Sequence, residues 1–263
     1  MAVIYLTMET NKIYHGDCLE LMPQIASGSI DMILCDLPYE TTSNKWDTVI
    51  PFDKLWEQYN RIIKPTGVIA LTASQPFSSA LIMSNPKMFK HEWIWIKNRG
   101  SNFANTVREP FKEHEQVLIF SNGKWTYNKQ MQERTGAGAD RVKYDLNHRS
   151  KSENYREFEG REGVKLPEMR VPSSWQKFNT DTSGLHPTIK PLALFEYLIR
   201  TYTNENEVVL DNCAGSCTTA VACKNTNRNF ICIEKEEKYY QVGLQRVENK
   251  TEIINEKKQT ELF

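Results

Sequence analysis

An acidic turn follows the apolar segment 29–36 and reads Asp36-Leu37-Pro38-Tyr39. A carboxylate and a backbone carbonyl on a proline-stiffened turn present hydrogen-bond acceptors, and the tyrosine ring offers an aromatic face beside them. This combination suits a planar exocyclic amine, such as that of a nucleobase. The nitrogen of such an amine is a poor nucleophile because its lone pair is delocalised into the ring, and acceptors that favour a tetrahedral nitrogen raise its reactivity. The alternative is an ordinary loop that reads this way by chance.

A second turn, 211–219, is made of small residues between a strand-like segment and a helical one. Small side chains let a ligand approach the backbone, and the helix N-terminus adds free N–H donors. About 20 residues further on, Glu234 ends the next strand-like segment, where a carboxylate can accept both hydroxyls of a ribose. The pattern predicts a ligand that contains adenosine. Because the turn has one glycine, Gly215, a ligand without phosphates is favoured; the alternative is a turn whose small residues only pack.

The elements that must position these turns alternate between strands and helices. The strand-like segments are 29–36, 68–73, 92–97, 116–121, 207–211 and 229–234. Apolar stripes of helical period lie at 52–63, where 65–67 is predicted to end the helix, and at 192–202. This alternation predicts an α/β fold with a mostly parallel, doubly wound sheet.

The segment 122–185 interrupts this alternation, because its apolar residues are scattered and Gly, Lys, Arg, Glu and Asn dominate. A long aperiodic segment within a periodic chain is typical of an insertion. We therefore predict a core formed by 1–121 and 186–250, an inserted region at 122–185, and a polar tail at 251–263.

Composition limits the classes of function. The chain has 263 residues, with 33 basic and 33 acidic side chains, so a grip on nucleic acid by net charge is excluded while a local basic groove is not. No apolar run approaches the roughly 20 residues that span a bilayer, and the start of the chain lacks the pattern of a secretion signal. We expect no membrane contact and a cytoplasmic location. The six cysteines are too sparse for a disulfide scaffold and include no Cys-x-x-Cys pair, so no metal site is predicted.

Taken together, the two turns resemble those of the β-class DNA amino-methyltransferases of phage and restriction-modification systems, which transfer methyl from S-adenosylmethionine to N6 of adenine or N4 of cytosine. In that family the acidic turn precedes the glycine turn, as it does here. The resemblance includes the run Thr41-Thr42-Ser43-Asn44-Lys45-Trp46-Asp47 and spans about 14–121 and 186–247. It implies a Rossmann-like methyltransferase fold with circularly permuted motif order, in which 122–185 is the target-recognition region.

The resemblance also implies catalytic roles. Asp36 and the Leu37 carbonyl would hold the target amine, Pro38 would stiffen the turn, and Tyr39 would stack on a base rotated out of the duplex. No covalent enzyme intermediate and no metal are needed, because the donor already carries an activated methyl group. Adenine is favoured over cytosine because cytosine enzymes more often have Ser at the position of Asp36.

Cofactor-binding roles follow from the same resemblance for Asp17, Cys18, Thr188, Lys190, Asp211, Cys213, Ala214, Gly215, Ser216 and Glu234. Asp17 would contact the adenine amino group, unless it only caps the following helix. Thr188 and Lys190 would lie near the methionine carboxylate, unless Lys190 is a plain surface charge. Asp211 and Gly215 would line the methionine, and Glu234 would take the ribose.

The chain departs from the family pattern at two positions. Cys217 stands where a second glycine is usual, and its side chain is tolerated if φ is negative or the approach of the ligand is loose. Otherwise the affinity for the cofactor is expected to fall. Leu37 replaces the commoner proline but keeps the backbone carbonyl.

Double-stranded DNA is the expected partner, and family members often form homodimers. The basic candidates for phosphate contacts are Arg134, Arg141, Lys143, Arg149, Lys151, Arg156 and Arg161, and the loop 98–113 is a further DNA-facing candidate. The aromatic residues nearby are Trp125, Tyr127, Tyr144, Tyr155 and Trp175, which are either stacking platforms or core anchors. Two rival functions remain open: a methyltransferase for a glutamine amide or RNA, and a DNA-binding protein that has lost its cofactor.

Overall fold

The computed structural model describes residues 8–40, 44, 47–135, 137–140 and 168–260. The chain divides into two compact units. The larger unit is formed by Met1–Asn128 and Ser174–Phe263, and the smaller unit is Lys129–Ser173. The smaller unit is thus shorter at both ends than the insertion that the sequence predicts.

The elements follow one another in the alternation that the sequence predicts. The strands are β1 (Lys12–His15), β2 (Ile30–Cys35), β3 (Ile63–Ala73), β4 (Phe89–Ile96), β5 (His114–Phe120), β6 (Gln132–Glu133), β7 (Met169–Arg170), β8 (Trp175–Lys177), β9 (Val208–Asp211) and β10 (Asn229–Glu234). The α-helices are α1 (Cys18–Leu21), α2 (Phe52–Ile62), α3 (Phe77–Ser84), α4 (Ala137–Asp140), α5 (Leu192–Tyr202), α6 (Thr218–Asn225) and α7 (Glu237–Thr260).

Eight strands of the larger unit form one sheet in the order β1-β10-β9-β2-β3-β5-β4-β8. The pairs from β1 to β3 are all parallel, whereas β5 runs antiparallel to both β3 and β4. The mostly parallel α/β sheet predicted from the sequence is therefore confirmed.

Strand β2 shows why this sheet needs helices on both faces. All six of its residues are buried. Ile33 and Cys35 belong to the apolar cluster that also holds residues of α1, α2 and α3, whereas Met32 and Leu34 belong to the cluster that holds residues of α5 and α6. Successive side chains of a strand point to opposite faces, so a continuous apolar run marks a strand that is covered on both sides.

One local prediction from the sequence is wrong. Helix α2 ends at Ile62, and the segment 65–67 lies within β3 instead of between the two elements. The register with β2 is irregular between Ile30 and Met32, and this irregularity accommodates the proline and glycine in the strand. Strand β8 lies within the predicted insertion but pairs with β4 in the main sheet, and α7 continues as far as Thr260 into the predicted polar tail.

The smaller unit contains α4 and the antiparallel pair β6 and β7, with Gln132 opposite Arg170. Arg134 follows β6, and its backbone N–H donates to the carbonyl of Glu168 at 3.2 Å. The other basic candidates and two of the aromatic ones lie outside the described residues: Arg141, Lys143, Arg149, Lys151, Arg156, Arg161, Tyr144 and Tyr155.

The remaining aromatic candidates belong to the larger unit. Trp125 packs against the core cluster of α5 and α6, and the ring of Tyr127 lies 6.2 Å from that of Tyr202. Trp125 is thus a core anchor, whereas Trp175 is 48% exposed. Across the part of the chain described above, no helix is both long and apolar enough to span a membrane.

Candidate active site

The carboxyl ends of the parallel strands bring the two turns together. Strand β9 lies between β10 and β2, so the turn after Asp211 is next to the turn that begins at Asp36. The chain leads from β2 to β3 in one direction and from β9 to β10 in the other, and ligands bind at such a reversal of strand order. A cavity of about 370 Å³ opens there and is lined by both turns.

All fourteen residues that the sequence analysis proposes as a site line this one cavity. They are Asp17, Cys18, Asp36, Leu37, Pro38, Tyr39, Thr188, Lys190, Asp211, Cys213, Ala214, Gly215, Ser216 and Glu234. The volume lies within the range of about 300–1,000 Å³ that is usual for small-molecule sites. Their roles stay predictions, but their convergence is a structural fact.

The carboxylate of Asp36 is held by three donors. Its Oδ1 accepts from the Tyr39 hydroxyl at 2.6 Å and from the Thr72 hydroxyl, and its Oδ2 pairs with the Lys190 ammonium at 2.6 Å. Thr72 lies on β3, the neighbour of β2, and was not predicted from the sequence as a site residue. The reason is that its only signal is its position near the end of the adjacent strand.

A chain of buried charges continues behind Asp36. The Lys190 ammonium lies 3.5 Å from Glu115 Oε2, and Glu115 Oε1 pairs with Lys97. Burial lowers the pKa of Lys190, but the carboxylates of Asp36 and Glu115 outweigh this and raise it. Lys190 is therefore an ammonium. Lys190 is buried and paired with Asp36, so it is not a plain surface charge, and its proposed place near the methionine carboxylate stays a prediction.

The backbone of the acidic turn is fixed by Asp47, which accepts from the N–H groups of Tyr39 at 2.8 Å and Glu40 at 2.9 Å. The Tyr39 ring stacks on Phe77 with ring centres 4.8 Å apart. Burial and the nearby Asp36 carboxylate raise the pKa of Tyr39 well above its ordinary value. The phenol is therefore a neutral donor to Asp36.

The glycine turn suits a ligand that needs close contact with the backbone. Gly215 has φ +51°, and a Cβ at this position would lie 3.4 Å from the His186 ring. Its N–H donates to Glu234 Oε2 at 2.6 Å, and the N–H of Glu236 donates to Oε1 at 2.8 Å. These bonds orient the carboxylate and leave each oxygen a second lone pair for a hydroxyl.

The outcome at Cys217 differs from the sequence analysis, because its φ is +58° and not negative. The side chain is completely buried and is not among the residues that line the cavity. It packs against Gly243 of α7, where a Cβ would collide with the sulfur. From the same helix, Arg246 donates to the Ser216 carbonyl at 3.0 Å and to the Thr218 hydroxyl at 2.8 Å. Helix α7 thus supports the strained turn.

The fit between Cys217 and Gly243 predicts a rescue. Gly243→Ala should lower the free energy of unfolding by about 1–3 kcal/mol, because the added methyl overpacks the thiol. Cys217→Gly should restore part of this loss in the double variant, since it frees the space and removes the left-handed strain of a residue with a Cβ. Urea unfolding of the two single variants and the double variant measures the coupling. Additive effects would mean that the two residues do not constrain each other.

Asp211 ends β9 and is buried. Its carboxylate accepts from the Cys213 N–H at 3.2 Å and from the Thr219 hydroxyl. Burial raises its pKa to about 7, and the hydrogen bonds oppose this only in part. A buried acid of this kind favours a ligand that brings positive charge.

The raised pKa of Asp211 predicts a pH dependence of stability without ligand. The folded protein binds this proton more tightly than the unfolded chain, so the stabilisation is complete below about pH 4 and is lost as the pH rises through about 7. Burial lowers the pKa of His186 to about 4, which acts in the opposite sense as the pH falls from 6.5. His186 contributes equally to wild type and to Asp211→Asn, so its contribution cancels in the difference between their unfolding free energies. This difference should fall by a few kcal/mol between pH 4 and 8; a constant difference would contradict the shift.

Asp17 is the cap of α1, and its proposed contact with the adenine amino group stays a prediction. It caps α1 by accepting from the Leu19 N–H at 2.9 Å and pairs with Lys235 at 3.0 Å, and it also lines the cavity. His186 and Tyr239, whose rings lie 4.2 Å apart at the cavity wall, were not predicted from the sequence as site residues. A histidine beside the segment 188–190 was the available signal.

The sheet, with an acidic turn and a glycine turn on one cavity, defines an S-adenosylmethionine-dependent methyltransferase. The acids that line the cavity, the close approach at Gly215 and the oriented Glu234 fit a cationic donor that carries a ribose. The sequence profile of the DNA methylase family matches residues 30–245, and the chain belongs to this family. It is a DNA methyltransferase that uses S-adenosylmethionine.

Individual relatives agree with this membership. The chain is 29% identical over 249 residues to the type II methyltransferase M1.MboII of Moraxella bovis, which covers 88% of this chain and 94% of the relative. It is 25% identical over 260 residues to the DNA adenine methyltransferase YhdJ of Escherichia coli strain K12, covering 91% and 83%. The crystal structure of the M1.HpyAVI–SAM complex aligns with a TM-score of 0.59 at 27% identity, covering 89% of this chain and 98% of that chain.

Proposed function

We propose that the protein methylates N6 of adenine at specific sites in duplex DNA. The observation that carries this proposal is the Asp36 carboxylate in the cavity that the glycine turn also lines. Aspartate at this position favours adenine, and one relative is named a DNA adenine methyltransferase. The alternative, a DNA-binding protein that has lost its cofactor, depended on the Cys217 side chain obstructing the cofactor site. That side chain packs against Gly243 instead and does not line the cavity.

The residues of the glycine turn would hold the cofactor. Asp211 and Gly215 would contact the methionine part, Glu234 would accept the ribose hydroxyls, and Asp17 would lie at the adenine end. Cys18, Cys213, Ala214, Ser216 and Thr188 would complete the wall. When bound, S-adenosylmethionine supplies a methyl group on a positively charged sulfur, which is already an activated leaving group.

Asp36 would act on the target amine. The carboxylate and the Leu37 carbonyl would each accept one amine hydrogen, which directs the nitrogen lone pair at the methyl group, and the carboxylate would take the proton that the amine gives up. Oδ1 already accepts from two hydroxyls, whereas Oδ2 accepts from Lys190, so Oδ2 has a second lone pair for an amine hydrogen. Lys190 would stay on Oδ2 and fix the carboxylate, and Glu115 Oε2, 3.5 Å from its ammonium, would hold Lys190 in place.

The target base would leave the duplex at a cost of a few kcal/mol. One face of the Tyr39 ring packs on Phe77, and the base would stack on the other, near the Lys190 ammonium, which lies 5.7 Å from the ring centre. The segment 122–185, including Arg134, would read the sequence and contact phosphates. We also propose a homodimer, which sedimentation velocity tests.

Nucleoside analysis tests the choice of base. The protein is incubated with methyl-labelled cofactor and unmethylated genomic DNA, and the DNA is digested to nucleosides. We expect the label in N6-methyladenine, and modification-sensitive sequencing of the same DNA should show one recurring site. Label in N4-methylcytosine alone would overturn the assignment, and label at unrelated sequences would overturn site specificity.

A further inference from the structure

The loop between β4 and β5, residues 97–113, leaves the sheet at the same edge as the active-site turns. Strand β5 is antiparallel to both β3 and β4, so β4 runs in the same direction as β3. The end of β4 at Ile96 therefore lies at the same edge as the ends of β3 and β2. We call this segment the β4–β5 loop.

The shape of the β4–β5 loop is fixed by its own contacts. The Asn102 amide donates to Glu109 Oε1 and to the Pro110 carbonyl, each at 3.0 Å, and its oxygen accepts from the Lys112 N–H at 2.6 Å. The Phe111 ring covers Gly100 so closely that a Cβ there would collide with it. One side chain thus ties both limbs together, and the tip is held in a defined form.

The tip presents apolar side chains to water. Phe103 is 81% exposed and Val107 is 86% exposed, and a short 3-10 helix, Phe103–Asn105, carries the first of them. Arg99 and Arg108 are exposed on the same loop. These exposed apolar groups contribute little to folding, and together with the two cations on the same loop they are available to contact a partner.

We propose that the β4–β5 loop enters the DNA duplex, with Phe103 as a wedge in the space that the target base vacates. This rests on the proposed function. Apolar side chains that insert between bases replace lost stacking, and Arg99 and Arg108 would contact the flanking phosphates. Duplex DNA is favoured over a second copy of the chain because two side chains cannot supply the roughly 800 Å² per partner of a standard protein interface.

The test compares Phe103→Ala with Met83→Ala, a control at a methionine of α3 that is 72% exposed. Single-turnover methylation is measured on two duplexes that contain the mapped site, one fully paired and one with an abasic position opposite the target. Phe103→Ala should slow methylation about 10-fold or more on the paired duplex and stay within about 3-fold of wild type on the other, where the base leaves easily. Met83→Ala should match wild type on both.

Other results would overturn the proposal. If Phe103→Ala methylates the paired duplex at the wild-type rate, Phe103 is not a wedge. If it shows the same deficit on both duplexes, Phe103 has a structural role. A dimer that Phe103→Ala dissociates in sedimentation, with unchanged methylation, would identify a second copy as the partner. Wild type that methylates neither duplex would instead refute the proposed function itself.

The arginines give an independent readout. For DNA binding, the logarithm of the association constant falls linearly with the logarithm of the salt concentration. In the double variant Arg99→Ala and Arg108→Ala this fall should be less steep by about 2, as expected for two lost phosphate contacts. Phe103→Ala should leave this slope unchanged. An unchanged slope in the arginine variant would overturn the placement of the loop on DNA.

Discussion

Asp36→Asn is expected to slow methyl transfer by about 10³-fold, because one preorganised electrostatic contact to the reacting group is removed. The amide keeps the shape of the side chain but replaces one acceptor oxygen with an NH2 donor, so the three donors to Asp36 no longer find two acceptor oxygens. Cofactor affinity should stay within about 3-fold of wild type, since the proposed role concerns the base. Single-turnover kinetics and isothermal titration with S-adenosylmethionine measure the two quantities.

Thr72→Val tests the same site with a smaller change. It removes one of the donors to Asp36 without removing the carboxylate, so its effect on the rate should be smaller, about 10-fold. Parallel loss of transfer and of cofactor binding in Asp36→Asn would instead give Asp36 a structural role.

Lys190→Met should have a double effect. It removes the ammonium between two carboxylates, and breaking a buried ion pair from one side costs about 3–5 kcal/mol. Transfer should also fall by about 10²-fold or more, because Asp36 loses the donor that fixes Oδ2. Urea unfolding gives the first quantity, and single-turnover methylation at low temperature gives the second.

The matched control is Lys64→Met. Lys64 pairs with Asp31 at 2.7 Å, close to the length of the pair in the site, but it is half-buried and lies at the opposite end of β3. Its removal should destabilise less, because Lys64 is itself more exposed than Lys190 and Asp31 keeps the hydrogen bond from the Val208 N–H at 2.9 Å, and it should leave the transfer rate unchanged. A rate loss equal to that of Lys190→Met would mean that stability alone explains the effect.

The parts of the site that sequence reasoning reached are those with local signals. An apolar run that ends in an acid marks Asp36, Asp211 and Glu234 alike, and parallel strands bring such ends to one edge. The acidic turn precedes the glycine turn in the chain, and this order indicated the β-class DNA amino-methyltransferases. The meeting of the turns in one cavity was therefore predictable before any coordinates.

The supporting contacts were not predictable, because they join residues far apart in the chain. Glu115 and Lys97 lie on or beside strands with no motif, and they act on Asp36 only through Lys190. Likewise, Cys217 is a departure from the family pattern until Gly243 of α7 is seen beside it. Each of these compensations is a matter of packing in three dimensions.

The boundaries of the inserted region could not be predicted from the sequence for a similar reason. Residues 175–177 carry no strand signal beyond a tryptophan, yet they pair with β4 as β8. An edge strand of three residues is specified by its neighbour more than by its own sequence.

A crystal structure of the protein with S-adenosylmethionine tests the central claim most directly. The account predicts the cofactor in the cavity of about 370 Å³, with its ribose at Glu234 and its methyl group directed toward Asp36. The neighbouring cavity of about 730 Å³, which is lined by Trp95, Lys97 and Glu115, is the alternative location. Electron density for the cofactor there, with the glycine turn empty, would contradict the account.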